Sequence, residues 1–289
     1  MAKWLIVFRS RHEVVVNRKG DKVMLANFHT HTTFCDGKNT PEEIVLYSIE
    51  NGFDAIGFSG HGFTPYDLRY CMKDTLGYIK EIKRLKEKYK DKIQIYLGVE
   101  EDAFANVCRT DFDYIIGSCH YFCVDGKYYP IDSNYDYFKK CLDVFEYNVE
   151  KLANTYYEAF CDYIKRRKPD IVGHYDVITK FDEIDVERFL NNNEYLKIAD
   201  KYMNEAVKND VIFEVNTGAI SRGYRKKPYP HENLMYILKK NNAKLILGSD
   251  SHSVENLVFG FDEARKQLKE IGFQYVYTLF DGEFKKDYL

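Results

Sequence analysis

Histidines and carboxylates recur at the carboxyl ends of the predicted strands. The residues that share this placement are His29, His31, Asp36, His61, Glu100, Glu101, Asp102, His120, His174, Glu214, Asp250 and His252. Imidazole and carboxylate groups are the ligands that zinc, manganese and iron accept. His29 and His31 stand two residues apart on an extended segment, so both rings point to the same side. One ion needs only three or four protein ligands, so the nine good candidates within this set predict two or three ions that share bridging carboxylates.

Clustered divalent ions are suited to phosphoester hydrolysis. They hold a hydroxide at neutral pH, bind phosphoryl oxygens and neutralise charge on the leaving oxygen. A single histidine at a strand end is usually an ordinary loop residue, and this is our interpretation of His12 and His231. For the other six histidines, repetition at successive strand ends makes coincidence the weaker explanation.

Strands alternate with helix-length segments along most of the chain. The predicted strands are residues 25–28, 55–59, 93–97, 114–118, 170–172, 211–215, 244–247 and 274–277. Thr40, Pro41 and Glu43 form a helix-start signal that predicts a helix over 41–50. Amphipathic stretches at 75–90 and 135–165 predict further helices, the second broken near residue 150. Alternation predicts an α/β fold with a parallel sheet, closed or doubly wound. In a closed barrel the strand ends open on one face, where the polar residues would converge.

Composition limits the class of protein. The 289 residues carry 42 basic and 45 acidic side chains, a net charge of −3, so no overall field favours nucleic acid or an anionic bilayer. No segment approaches the roughly 20 apolar residues of a membrane helix. Seven cysteines without a CxxC pair indicate a reducing, cytoplasmic location.

The amino-terminal residues precede the regular pattern. Residues 1–24 are interpreted as an N-terminal extension with two short strands around 18–21, and residues 25–289 as one domain. The extension could cap the underside of a barrel or form a homodimer contact. Met24 is an equally acceptable start of the chain.

The order of the motifs resembles that of the PHP (polymerase and histidinol phosphatase) family. The segments that carry the resemblance are FHTHTTFCDG, His61, GVEEDAF, GSCH, GHYDVITKF, EVNTGAISRGYRKKPYP and GSDSH. It extends from about residue 25 to about residue 280 and is greatest to histidinol-phosphate phosphatases. Each motif is weak alone, and their order and spacing together are specific.

The resemblance implies a distorted (β/α)7 TIM-like barrel with three divalent metal ions, either zinc, manganese or iron. The first ion would be held by His29, His31, Glu100 and Asp250. Glu100 would bridge to a second ion held by His120 and His174, and Asp36, His61 and His252 would hold the third.

The reaction that the resemblance implies is hydrolysis of L-histidinol phosphate, in histidine biosynthesis. Arg222 is the first candidate for binding the phosphate, because a guanidinium fork matches phosphate geometry, and Arg225 and Lys180 are further candidates. An ordinary solvated loop is an equally good interpretation of Arg225. The amine and imidazole of the substrate would be bound by Glu101, Asp102 or Tyr66. Either Asp176 or a metal-bound water would protonate the leaving alkoxide.

Two alternatives stay open. The chain could be another PHP phosphoesterase, acting on a small nucleotide, an oligonucleotide or phosphotyrosine. The sequence contains no basic tract interleaved with aromatic residues, which disfavours a nucleic-acid partner and favours a small phosphorylated substrate. It could also be a metal-binding module without catalysis, although all nine ligand types are present.

Overall fold

The computed structural model describes residues 23–184 and 188–289. Its strands are β1 Ala26–Asn27, β2 Ala55–Phe58, β3 Gln94–Asp102, β4 Tyr114–Ser118, β5 Tyr121–Val124, β6 Lys127–Pro130, β7 Ile171–Val172, β8 Ile212–Asn216, β9 Lys244–Gly248, β10 Tyr275–Phe280 and β11 Glu283–Tyr288. Its helices are α1 Pro41–Glu50, α2 Thr75–Lys88, α3 Tyr135–Val144, α4 Val149–Arg167, α5 Asn193–Ala206, α6 Gly218–Ser221, α7 Glu232–Lys240 and α8 Phe261–Ile271. The predicted N-terminal hairpin lies outside the described residues.

Parallel strands form a distorted barrel. The main sheet of the described residues has the order β1-β2-β3-β4-β7-β8-β9-β10-β11, and only the β10–β11 pair is antiparallel. A bridge between Thr30 and Ser251, just beyond β1 and β9, closes a ring of seven strands. β10 pairs with β9 through Tyr277 and Ile246, and its Leu279 joins the interior cluster, so the ring is irregular on this side. The predicted distorted barrel is confirmed.

Apolar side chains fill the barrel below the strand ends. The interior cluster comprises Phe28, Ala55, Tyr96, Tyr114, Ile116, Ile171, Ile212, Ile246 and Leu279. A second cluster packs α4, α5 and α7 against the outside of the sheet, and α1 and α2 cover β2 and β3. Because these apolar side chains fill the interior, a ligand could reach the polar side chains only from the end of the barrel where the strands terminate.

Local signals define several boundaries as the sequence predicts. α1 begins at Pro41, with the Thr40 side chain accepting the Glu43 N–H and the Glu43 carboxylate accepting the Thr40 N–H. The stretch 135–165 divides into α3 and α4, as expected. The β5–β6 hairpin and the edge strand β11 were not predicted. None of the described helices combines the length and the apolar character that a membrane span requires.

Candidate metal centre

The hydrogen bonds that close the barrel also fix the backbone of His29 and His31. The His31 N–H donates to the Ser251 carbonyl at 2.8 Å, and the Ser251 N–H donates to the His29 carbonyl at 3.0 Å. These bonds join the segment after β1 to the segment after β9, so Asp250 lies beside both imidazoles. Gly37 lies against the same backbone, where a Cβ would stand 2.5 Å from His31 C. The absence of a side chain at Gly37 therefore lets the Asp36 carboxylate approach His31.

Glu100 lies at the centre of the site and is buried. Its Oε1 lies 3.0 Å from His174 Nε2, 3.2 Å from His120 Nε2 and 3.4 Å from His29 Nε2. Its Oε2 faces the other side, 2.8 Å from His61 Nδ1 and 3.5 Å from His31 Nε2. The two oxygens face different histidines, which is the geometry that a bridging carboxylate needs.

The two carboxylate oxygens of Asp250 also have different neighbours. Oδ1 lies 3.1 Å from His31 Nε2 and 3.7 Å from His29 Nε2, while Oδ2 accepts a hydrogen bond from Arg222 Nη2 at 2.8 Å. One oxygen is thus directed at the histidines and the other holds a guanidinium at the edge of the site.

The most exposed group of ligand candidates lies nearest to solvent. Asp36 Oδ2 is 3.3 Å from His252 Nε2 and 3.7 Å from His61 Nε2. Its Oδ1 is 3.5 Å from His31 Nδ1, and the His31 ring stacks on His252 at 4.1 Å. His31 therefore lies between this group and the Asp250 group.

All nine predicted ligands converge. Four sets of donor atoms lie close enough to surround an ion: His31, Asp36, His61 and His252; His29, Glu100 and His174; His29, His31 and Asp250; His61, Glu100 and His120. Several donor atoms are buried without a hydrogen-bond partner among the described residues, namely His29 Nε2, His31 Nε2 and Glu100 Oε2. Unsatisfied buried nitrogen and carboxylate atoms are costly, and divalent ions would satisfy them. The donor set thus fits metal ions.

The carboxylates and imidazoles shift each other's pKa. Burial would raise the pKa of Glu100, but His120, His61 and His29 lower it well below its usual range. Burial would lower the pKa of His29, yet Glu214, Glu100 and Asp250 raise it to about 10. In the metal-free site, His29 is consequently an imidazolium beside ionised carboxylates at neutral pH.

We expect the metal-free protein to release protons when it binds zinc at pH 7, because imidazolium nitrogens must lose their protons to bind an ion. The apparent zinc affinity should therefore rise with pH up to about 10, the pKa of His29, because below that pH an ion that binds His29 must displace its proton. Calorimetric titrations in buffers of different ionisation enthalpy would measure the protons released. A binding heat independent of the buffer would contradict this expectation.

Two carboxylates orient the ligand histidines. Glu214 on β8 accepts a hydrogen bond from His29 Nδ1 at 2.7 Å and is buried. Asp102 accepts the His120 N–H at 2.9 Å and lies 3.3 Å from its Nδ1. Such partners fix the ring so that the other nitrogen faces the metal. From the sequence, Glu214 was only one of the strand-end carboxylates, without a ligand role, and Asp102 was assigned to the substrate.

A cleft of about 290 Å³ opens above the histidines. Five predicted ligands line the cleft, and the other lining residues include Tyr70, Asp132, Lys180, Arg222 and Tyr224. Arg222 is held by Asp250, and its side chain is 30% exposed. Burial lowers the pKa of Lys180, whose ammonium donates to the Asp132 carbonyl. Of the phosphate-binding groups predicted from the sequence, Arg222 and Lys180 therefore lie at the cleft.

Arg225 and Asp176 lie elsewhere. Arg225 is buried, and its Nη1 donates to Thr179 Oγ1 at 2.7 Å, so it neither faces the cleft nor belongs to a solvated loop. Asp176 is completely buried, accepts the His231 N–H at 2.9 Å and lies 3.8 Å from Arg225 Nη1. Neither side chain lines the cleft, so the structure is at odds with Arg225 as a phosphate ligand and with Asp176 as the acid.

The residues predicted to bind the substrate amine also have other partners. Glu101 points away from Glu100, because side chains alternate along β3, and pairs with Arg167 Nη2 at 2.6 Å. The Tyr66 hydroxyl donates to Asp102, and its ring stacks on Tyr128 at 4.1 Å. Asp102 is engaged by His120 and Tyr66. None of the three lines the cleft.

Comparisons with known proteins agree with this geometry. The PHP domain family model matches residues 27–218. A protein of Schizosaccharomyces pombe named "Probable histidinol-phosphatase" is 27% identical over 84% of this chain and 86% of its own. The histidinol-phosphatase of Bacillus subtilis is 23% identical over 81% of this chain and 96% of its own. A crystal structure of histidinol phosphate phosphatase from Lactococcus lactis, complexed with zinc, L-histidinol and phosphate, has a similar fold, with a TM-score of 0.69 and 21% identity. That likeness covers 91% of this chain and 99% of the other.

Proposed function

Because this chain belongs to the PHP domain family, we propose that it is a metal-dependent phosphatase that hydrolyses L-histidinol phosphate to L-histidinol and inorganic phosphate. The observation that carries the proposal is the convergence of nine histidine and carboxylate side chains on one centre, five of which line a cleft together with Arg222 and Lys180. The curated relatives that bear this activity in their names match most of the chain. All seven cysteines are free thiols, which suits a cytoplasmic enzyme of histidine biosynthesis.

We assign the nine ligands to three ions of zinc, manganese or iron. His29, His31, Glu100 and Asp250 would hold the first, Glu100, His120 and His174 the second, and Asp36, His61 and His252 the third. When bound, divalent ions supply Lewis acidity, lower the pKa of water and neutralise charge on phosphoryl oxygens. The protein's part is to hold the ligands and to orient the phosphate.

Arg222 is positioned to bind the phosphoryl group. Its Nη2 and Nη1 are held by Asp250 Oδ2 and by the Asp250 carbonyl at 2.8 and 2.9 Å, which fixes the guanidinium plane at the edge of the cleft.

Replacing Arg222 with alanine should raise KM or reduce kcat/KM. The lost transition-state stabilisation should be about 1–3 kcal/mol, the contribution of a hydrogen bond to a charged group. Arg166→Ala is a matched control, because Arg166 is exposed on α4 and pairs only weakly with Asp162. Steady-state kinetics of both variants with histidinol phosphate would measure the difference. An Arg222→Ala enzyme with wild-type kinetics would reject the assignment.

Substrate profiling tests the proposed function directly. Metal-loaded enzyme is assayed for phosphate release from histidinol phosphate, a nucleotide 3'-phosphate, an oligonucleotide and phosphotyrosine, with zinc, manganese or iron. We expect the highest kcat/KM for histidinol phosphate. A clear preference for a nucleotide would overturn the substrate, and no release from any of them would favour a metal-binding module without catalysis.

A further inference from the structure

One carboxylate in the cleft belongs to none of the ligand sets. Asp36, Asp132 and Asp250 all line the cleft, and Asp132 alone lies outside the donor groups formed by the described residues. It follows β6, and the preceding Ile131 N–H donates to the His120 carbonyl at 2.8 Å. The backbone thus fixes Asp132 beside a predicted metal ligand, with its side chain 19% exposed toward the cleft.

Asp132 has a cationic neighbour that leaves its carboxylate accessible. Lys180 Nζ donates to the Asp132 carbonyl and lies 3.7 Å from Oδ2, too far for a strong side-chain hydrogen bond. Burial would raise the pKa of Asp132, but Lys180 and the nearby histidines lower it. The carboxyl group is therefore ionised at neutral pH, which makes it a poor proton donor and a good partner for a cation.

Aromatic rings also border the cleft. Tyr70, Tyr121 and Tyr224 line it, and Lys180 already lies 4.9 Å from the centre of the Tyr224 ring. Aromatic faces attract cations and stack on planar heterocycles. Arg222, by contrast, is tied to Asp250 among the metal ligands. The cleft thus offers Arg222 and the metal centre to an anionic group, and Asp132 with three tyrosines to a cationic one.

We infer that Asp132 binds a positively charged group of the substrate, an ammonium or an imidazolium, and so selects phosphomonoesters that carry a cation. This inference rests on the proposed function and names the residue that would determine its specificity. Asp132 takes the place of Glu101, Asp102 and Tyr66, which the sequence analysis assigned to this task and which the structure places outside the cleft.

The test compares Asp132→Asn with wild type on two substrates. The isosteric amide removes the charge, while the backbone carbonyl that holds Lys180 stays in place. We expect kcat/KM for histidinol phosphate to fall roughly 10- to 100-fold, and kcat/KM for 4-nitrophenyl phosphate, which has no cation, to change less than about threefold. Asp136→Asn is the matched control, since Asp136 lies four residues away, is 82% exposed and does not line the cleft.

Binding of product fragments gives a second measurement. Calorimetric titration of the zinc-loaded protein with L-histidinol should give a larger Kd for Asp132→Asn than for wild type, whereas inorganic phosphate should bind both equally. Zinc content and thermal unfolding establish that the variant is folded. Asp132→Glu, which keeps the charge, should recover part of the affinity for histidinol.

Each outcome distinguishes between different roles of Asp132. Equal losses on both substrates would make Asp132 part of the chemistry or of the fold and would overturn the inference, as would unchanged kinetics on both. If wild type does not hydrolyse histidinol phosphate, the proposed function fails. In that event the inference is judged by phosphoethanolamine, which should be preferred to 4-nitrophenyl phosphate by wild type and lose that preference in Asp132→Asn. No preference for the cationic ester would overturn it.

Discussion

A Glu100→Ala variant should lose more than one equivalent of bound metal, together with nearly all phosphatase activity. The reason is geometric, because Oε1 faces His174, His120 and His29 while Oε2 faces His61 and His31. Removing one side chain therefore deprives two neighbouring ligand sets of their shared anion. We expect the loss of kcat/KM to exceed the roughly 10- to 100-fold that is typical when an outer-shell partner is removed.

The adjacent residue supplies the control. Glu101→Ala also deletes a buried carboxylate from β3, but that carboxylate pairs with Arg167 and accepts a hydrogen bond from Tyr163 on the outside of the barrel. It should reduce stability and leave the number of bound ions unchanged. Elemental analysis of both purified variants, with thermal unfolding as a measure of folding, separates the two effects. Unchanged metal stoichiometry in Glu100→Ala would remove Glu100 from the centre.

The convergence of the candidate ligands could be predicted from the sequence because a parallel barrel imposes a simple rule. Side chains at the carboxyl ends of its strands meet at one face, so placing a strand also places the residue that follows it. His61, His120 and His174 follow β2, β4 and β7 in this way. The rule needs only approximate strand bounds, and it holds although β3 extends five residues beyond its predicted end.

The residues around the ligands were harder to predict because their roles depend on direction within loops. Arg222 and Arg225 are three residues apart, yet the chain turns between them at Gly223, whose φ is +76°, and they point to different surroundings. Asp132 follows the β5–β6 hairpin, which the helix and strand periodicities did not reveal. Residue type and spacing could not distinguish these cases, since the turn geometry decides them.

Glu214 illustrates a different limit of sequence analysis. It lies in the middle of β8 and is buried, a position where an apolar residue is expected. A charged residue inside an otherwise apolar strand is the signal that could have indicated a role beside the site. Its partners could not be read from the sequence, because His29 and His174 lie 185 and 40 residues away along the chain.

Replacing Glu214 with alanine should destabilise the protein and weaken metal binding together. Its Oε1 accepts from His29 Nδ1 at 2.7 Å, and its Oε2 accepts from the His174 N–H at 3.0 Å and from Asn216 Nδ2 at 2.8 Å. Breaking a buried charged pair typically costs roughly 3–5 kcal/mol, because the remaining partners stay buried and unpaired. Without this acceptor His29 is free to rotate or change tautomer, so zinc affinity should fall about 10- to 100-fold.

A second variant separates the position of Glu214 from its charge. Gly248 on β9 leaves room for the carboxylate, since a Cβ there would stand 1.8 Å from Glu214 Oε1. Gly248→Ala should therefore displace the intact carboxylate from His29 and weaken zinc binding in the same direction as Glu214→Ala, with the local charge preserved. Urea unfolding of the metal-free proteins measures the stability cost, and competition with a chelator measures zinc affinity. Wild-type zinc affinity in both variants would show that His29 keeps its orientation without Glu214, and the carboxylate would then serve the fold alone.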